Sequence, residues 1–342
     1  MKIRIFEIEQ WERDAFKLLE ADNEVSYIEE PLNNDTAGQH EDADVVSTFI
    51  YSQLTKEVLS RIKNLKLIAT RSTGFDHIDI QYCNEHDIRI AIVPTYGKNT
   101  VAEHAFALIL TLSHRIVDSV TKTRRGEFSP EGLRGFDLMN KTLGVIGTGD
   151  IGEHAIQIAK GFGMNVLAFD VNPRQELKKR LAFDYVDMDT LLAQSDIITI
   201  HVPANPKTED LISTQQFQKM KDGVVLINTS RGSVVNFKAL SEALVQKKVS
   251  AAGLDVLPAE PLIREDTQVL RKVYQKDNEE TLKKLLADNV LFQLDNVIVT
   301  PHNAFNTTEA VQRILATTCQ NIDAFSKGEV VNVVNEQKLA HA

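Results

Sequence analysis

Three short segments in the second half of the chain, INTSRGSVVN, GLDVLPAEP and VTPHNAFNT, each set polar residues behind an apolar, β-branched run. They supply Arg231, Glu260 and His302. Arginine grips a carboxylate through two parallel N–H donors. Histidine transfers a proton near neutral pH, and a neighbouring carboxylate favours its charged form. Reduction of a 2-oxo acid by hydride needs these three functions: a cation for the carboxylate, a proton donor for the developing alkoxide, and an anion that keeps the donor protonated. The plainer alternatives are a surface-turn arginine, an exposed acid and a histidine capping a turn after Pro301. His104 and His201 lie in apolar runs and read as core histidines, and His77 is assigned to neither class.

A second chemical signal lies upstream, in TLGVIGTGDIGEHA. Gly147, Gly149 and Gly152 form a GxGxxG pattern between an apolar strand and a helix. The first glycine permits the tight turn, the second lets backbone approach a pyrophosphate, and the third lets the helix pack closely. The pattern alone is weak, but VLAFD places Asp170 at the end of the next strand, near the roughly 20-residue offset of a ribose-binding acid. A carboxylate there accepts from both ribose hydroxyls and repels a 2′-phosphate, which favours NAD over NADP. Arg174 offsets part of that repulsion, and a cap on the turn VNPR is the structural alternative for Asp170.

The elements that must carry these residues form two series. Residues 1 to about 95 alternate the strand-like runs IRIFEI, DVVSTFI, LKLIAT and IRIAIVP with helical stretches, the pattern of an open α/β sheet. None of these runs ends in a glycine-rich turn. A long helix, NTVAEHAFALILTLSHRIVDSV, follows with apolar residues on more than one face, which predicts burial between units or subunits. A second series of six runs, TLGVIG, NVLAFD, DIITIHVP, GVVLINTS, AAGLDVL and NVIVTPH, makes a complete dinucleotide-binding sheet. The last helix ends at Gly328, a C′ position, and is expected to return to the first domain. The late glycine turn then means that the cofactor domain is inserted into a discontinuous outer domain, with the active site in the cleft between them.

Composition narrows the class. The 342 residues, 43% of them hydrophobic, suffice for two cores. A formal net charge of −10 disfavours a nucleic-acid partner. The alternating start MKIRIFEIEQ reads as a strand and not a signal peptide, and no segment has the ~20 apolar residues of a membrane span. Cys83 and Cys319 form neither a disulfide framework nor a zinc spacing. The expectation is a soluble, cytoplasmic protein without a metal.

The chain resembles the NAD-dependent D-2-hydroxyacid dehydrogenases, and within them the D-lactate dehydrogenases. Seven motifs in order carry the resemblance over essentially the whole length: RSTGFDHID, VPTYGKNTVAEHA, GVIGTGDIG, HVPANPKT, INTSRG, GLDVLPAEP and TPHNAFNT. It implies two doubly wound parallel-sheet α/β domains. A Rossmann NAD-binding domain at 100–302, including a linking helix at about 100–120, would be inserted into a flavodoxin-like substrate domain of 1–99 and 303–342. It assigns Arg231 to carboxylate and carbonyl binding, His302 to proton transfer, and Glu260 to pairing with that histidine. Cofactor contacts would come from Asp150, Ile151, Asp170, Val202 and Pro203. Thr208, Thr229, Ser230 and Asp255 would complete the cleft, with Asp255 at the nicotinamide carboxamide. The backbone of Thr73 and Gly74 would hold the substrate carboxylate, and the chain would pair as a homodimer through its NAD-binding domains.

Specificity rests on the wall beyond the carbonyl. Tyr51 and Tyr96 match aromatic positions bordering the substrate in D-lactate dehydrogenases, and Phe305 adds to the wall, which predicts a small pocket and pyruvate. One methylene in such a pocket is worth only about 1–3 kcal/mol, so phenylpyruvate, 2-oxobutyrate, hydroxypyruvate and glyoxylate stay open. An NAD-sensing corepressor with the same three residues is the alternative of another class. The charged segment 262–294, with apolar residues at Val269, Val273, Leu282, Leu285 and Leu286, predicts one or two surface helices.

Overall fold

The computed structural model describes residues 1–258, 291 and 294–335. Glu260 and nearly all of the 262–294 segment lie outside these residues. The chain divides into two compact units, Met1–Tyr96 together with the chain from Thr307 onward, and Gly97–Asn306. The divisions differ by a few residues from the expected 99/100 and 302/303. Gly97 caps the helix Lys98–Ser113, and backbone bonds to Asp255 keep Asn303 and Ala304 in the second unit.

In the first unit the strands are β1 (Lys2–Ile5), β2 (Glu24–Tyr27), β3 (Val45–Thr48), β4 (Leu67–Thr70) and β5 (Arg89–Ala91). All pairings are parallel, in the order β2-β1-β3-β4-β5. β3 and β4 are buried throughout, as a sheet covered on both faces requires. One face packs Phe6, Val46, Ile68 and Ile90. On the other, Ile3, Ile5, Val45 and Leu67 meet Val311, Leu315, Cys319 and Ile322 of the helix Thr308–Ser326. Burying each such side chain contributes about 1.5–3 kcal/mol. That helix stops where expected, at Gly328 with φ +84°.

The second unit holds β6 (Thr142–Ile146), β7 (Asn165–Phe169), β8 (Asp184–Tyr185), β9 (Ile197–Ile200), β10 (Val224–Asn228), β11 (Val249–Leu254) and β12 (Val297–Val299). They form one parallel sheet in the order β12-β11-β10-β9-β6-β7-β8. Strand order reverses between β6 and β9, and open α/β sheets bind ligands at that switch point, beyond the carboxyl ends of the strands.

The expected single helix from Asn99 is two, Lys98–Ser113 and Ile116–Arg124, with Arg115 left-handed at φ +50° between them. The connector that follows folds back on the break: the Phe136 N–H donates to the Ser113 carbonyl at 2.9 Å. A Cβ on Gly135 would lie 1.8 Å from that oxygen. The first helix buries Val101, Ala105, Phe106 and Ile109, whereas the second buries nothing. Among the described residues no helix is long and apolar enough to cross a membrane, and no His, Cys, Asp and Glu cluster is placed to hold a metal ion.

Candidate active site

The glycine turn leaves β6 and enters the helix Asp150–Gly161, with Gly149 as its N-cap. Gly147 has φ +92°, and a Cβ there would stand 2.6 Å from the His201 carbonyl oxygen. A Cβ on Gly152 would meet the Gly147 carbonyl at 2.0 Å. Only glycine permits this cradle, whose helix N-terminus offers N–H donors to a phosphate. Asp150 begins the helix and pairs with Lys98 Nζ at 2.8 Å.

Asp170 follows β7 and turns toward the cradle. Its Oδ2 accepts from the Thr148 N–H at 2.7 Å and the Thr148 hydroxyl at 2.8 Å, and its Oδ1 accepts from the Asn172 N–H at 2.8 Å. Burial alone would raise this carboxyl, but those donors and the Arg174 charge hold it below the usual carboxylate range. Arg174 binds the Thr148 carbonyl and pairs with Glu153 at 3.1 Å. The arginine expected to offset the acid is thereby tied to the glycine turn itself.

Val202 and Pro203 follow β9, Val202 packing on the core. The Thr208 hydroxyl donates to the Pro203 carbonyl at 2.7 Å and accepts from the Asn205 N–H at 2.9 Å, so it shapes its own loop. After β10, the Thr229 hydroxyl is buried without a hydrogen-bond partner among the described residues. An orphaned donor beyond the carboxyl end of β10, on the sheet edge that also carries the glycine cradle and Asp170, fits a dinucleotide. His201 bonds Thr199 at 3.0 Å, and burial pushes its imidazole down to about 4, so it stays uncharged near neutrality, in keeping with a core role.

Asn228, which the sequence reading passed over, staples the turn that presents Arg231. Its Oδ1 accepts from the Ser230 N–H at 3.0 Å and the Ser230 hydroxyl at 2.7 Å, and its Nδ2 donates to the Arg231 carbonyl at 3.0 Å. Gly232 then lies against the backbone after β11, where a Cβ would come within 2.3 Å of the Leu257 carbonyl carbon and 2.5 Å of Pro258 N. The Arg231 turn is thus seated against the segment that runs on to residue 260.

His302 follows β12 and is left-handed, with φ +52°, a conformation a non-glycine residue holds only when its surroundings impose it. Asp255 does so. Its side chain is 1% exposed, and Oδ1 accepts from the Thr300 hydroxyl at 2.5 Å and the Asn303 N–H at 3.0 Å, while Oδ2 accepts from the Ala304 N–H at 2.9 Å. His104 Nε2 stands 3.1 Å from Thr300 Oγ1 and 3.4 Å from Asp255 Oδ1. Burial would raise the Asp255 carboxyl, but His104, Thr300 and the Ala304 N–H hold it low. Asp255, expected at the carboxamide, here clamps both sides of His302. His104, read as a core residue, braces that clamp.

In the first unit, Tyr51 follows β3 with its side chain 6.1 Å edge-on from Phe49, and is 47% exposed. Thr73 and Gly74 follow β4. The Thr73 hydroxyl donates to the Val93 carbonyl at 2.6 Å, and the Ser72 hydroxyl to the Gly74 carbonyl at 2.6 Å. Tyr96 closes the unit, its carbonyl accepting from Arg313 Nε at 2.7 Å. His77 Nε2 lies 3.4 Å from Thr70 Oγ1. Phe305 is partly buried in the second unit, three residues past His302.

A parallel sheet with a glycine cradle, an acid after its second strand, and an arginine and a histidine after later strands defines a dinucleotide-dependent oxidoreductase with a Rossmann fold. The model of the D-isomer specific 2-hydroxyacid dehydrogenase NAD-binding domain matches residues 106–304. A D-lactate dehydrogenase of Escherichia coli is 35% identical, over 96% of this chain and 98% of its own. A glyoxylate reductase of Thermococcus litoralis is 32% identical, over 99% of this chain and 98% of its own. The solved D-lactate dehydrogenase of Aquifex aeolicus complexed with NAD and lactic acid superposes with a TM-score of 0.86 at 35% identity, over 98% of this chain and 100% of that one. The chain belongs to the D-isomer specific 2-hydroxyacid dehydrogenase family, and NAD is its cofactor.

Proposed function

We propose that the chain interconverts pyruvate and D-lactate with NAD, using Arg231, Glu260 and His302. The observation that carries this reading is the left-handed His302, clamped by Asp255 at the same sheet edge as Arg231 and the glycine cradle. Gly147, Gly149 and Gly152 with the N–H groups of Asp150 and Ile151 would seat the pyrophosphate. Asp170 would bind the ribose, while Val202, Pro203, Thr208, Thr229 and Ser230 would line the rest of the cofactor site. When bound, NADH supplies the reducing equivalent. Arg231 draws the substrate carboxylate and carbonyl into register, and its charge stabilises the oxygen as negative charge develops there. His302 protonates that oxygen from Nε2 or Nδ1 and retrieves the proton in the reverse direction. Glu260 would favour the charged imidazole.

Thr73 and Gly74 would hold the substrate carboxylate, and Tyr51, Tyr96 and Phe305 would wall off larger 2-oxo acids. The D-lactate dehydrogenase names among the relatives favour pyruvate, and the glyoxylate reductase sustains glyoxylate or hydroxypyruvate as the second reading. Pairing as a homodimer through the NAD-binding domains is supported by Ile116, Val117 and Val120 of the helix Ile116–Arg124, each more than two-fifths exposed. The test is His302→Ala. The rate of pyruvate reduction should fall by about 10²–10⁴-fold while NADH affinity, read by fluorescence, is retained. Near-normal turnover would remove His302 from the chemistry. A wild-type chain that binds NADH and reduces no 2-oxo acid would favour the NAD-sensing corepressor.

A further inference from the structure

The sheet of the first unit has its own switch point, between β1 and β3, where strand order reverses. Glu7 follows β1 at that point, and Tyr51 and Ser52 follow β3. The Glu7 carboxylate spans the gap: Oε2 accepts from the Tyr51 N–H at 2.9 Å, and Oε1 accepts from the Ser52 N–H at 2.9 Å and from the Ser52 hydroxyl. Ser52, wholly buried, also accepts from the Leu32 N–H at 2.8 Å.

Two successive backbone N–H groups beside a hydroxyl make an anion seat. The chain fills this one with its own carboxylate, and holds it there at a cost. Glu7 is left-handed, with φ +54°. Its carbonyl is bound by Arg71, which is 2% exposed and whose guanidinium donates to the Phe6 carbonyl at 2.8 Å and lies 5.9 Å from the Phe49 ring. Arg71 immediately precedes the Ser72–Gly74 turn. One buried cation therefore ties together the ends of β1, β3 and β4, and with them Tyr51 and Thr73.

Resting on the reading of the chain as a 2-oxo acid reductase, we infer that Glu7 is a specificity-determining residue that excludes substrates carrying a second anionic group. It occupies the seat that a distal carboxylate or phosphate would take, and its charge, partly matched by Arg71, stands behind Tyr51, on the wall proposed to face the substrate side chain. A like charge placed there works as repulsion against the wrong substrate. The class admitted is the 2-oxo monocarboxylates.

Oxaloacetate and its isostere 4-methyl-2-oxopentanoate, whose isopropyl group replaces the distal carboxylate, test this, with the malate formed quantified directly so that spontaneous decarboxylation does not intrude. The wild-type protein should favour the isostere in kcat/KM by at least about tenfold. Glu7→Gln, which keeps shape and removes charge, should narrow that ratio about tenfold, through the KM of oxaloacetate. Glu7→Asp should keep the discrimination and raise KM for both, because the shorter acid loses the seat and not the charge. Equal losses for both substrates in Glu7→Gln would reduce Glu7 to a loop support and overturn the inference. So would a wild-type protein that takes oxaloacetate as readily as the isostere, a result that needs no variant. Reduction of larger monocarboxylates ahead of pyruvate would overturn the lactate reading and leave this one standing, whereas reduction of no 2-oxo acid would overturn both.

Discussion

Asp170 and Asp255 are both carboxylates at strand ends in one sheet, yet the structure uses them differently. Asp170 keeps its side chain at the glycine turn, bonded to Thr148 and Asn172. Asp255 is enclosed and spends both oxygens on the loop of His302. The first difference is testable at the residue. In Asp170→Ala the repulsion of a 2′-phosphate is lost and Arg174 remains, so the NAD to NADP preference in kcat/KM should narrow by at least about tenfold, a change of ~1.4 kcal/mol. An unchanged ratio would remove Asp170 from the ribose site. The glycine pattern and the offset of Asp170 were legible because both follow from local backbone geometry. Asn228, Thr300 and the clamping role of Asp255 were not, because their partners are distant in sequence or depend on how a loop closes. Only the Asn228 turn left a local signal, a strand-terminal asparagine ahead of polar residues that its side chain can bond.

The element that presents Arg231 depends on a single close approach. Adding one methyl at Gly232 would push it to 2.3 Å from the Leu257 carbonyl carbon, and backbone cannot yield there as a flexible side chain would. Gly232→Ala should destabilise the protein by about 1–3 kcal/mol and lower kcat/KM by about 10²-fold through displacement of Arg231. Gly161→Ala is the control: nothing lies within 4 Å of its added Cβ, and alanine suits a helix better than glycine. Matching melting points and rates in the two variants would show that the Gly232 contact is not needed. Elements of strong apolar period were readable, among them β3, β4, β9 and β10. β2 and β8 were not: β2 is a partly exposed edge strand with the sequence EVSY, and β8 has two residues. The helix from Asn99 read as continuous because its break at Arg115 is imposed by Gly135 and Phe136, some twenty residues on.

At the scale of the molecule, the parallel order of both sheets means that each strand is joined to the next by a crossover and not by a tight hairpin, and the glycine turn comes late in the chain because one α/β unit is inserted into the other. Each sheet carries the residues proposed to function at its carboxyl edge, the cofactor cradle, Arg231 and His302 on one, Tyr51, Thr73 and Glu7 on the other. The proposed function assigns both edges to one reaction, the stereospecific reduction of pyruvate. Steady-state NADH oxidation with pyruvate, 2-oxobutyrate, phenylpyruvate, glyoxylate and hydroxypyruvate, with the product enantiomer assayed on a chiral column, tests it most directly. The highest kcat/KM is expected with pyruvate, with D-lactate as product. A higher value with any of the other four, or L-lactate from pyruvate, would contradict it.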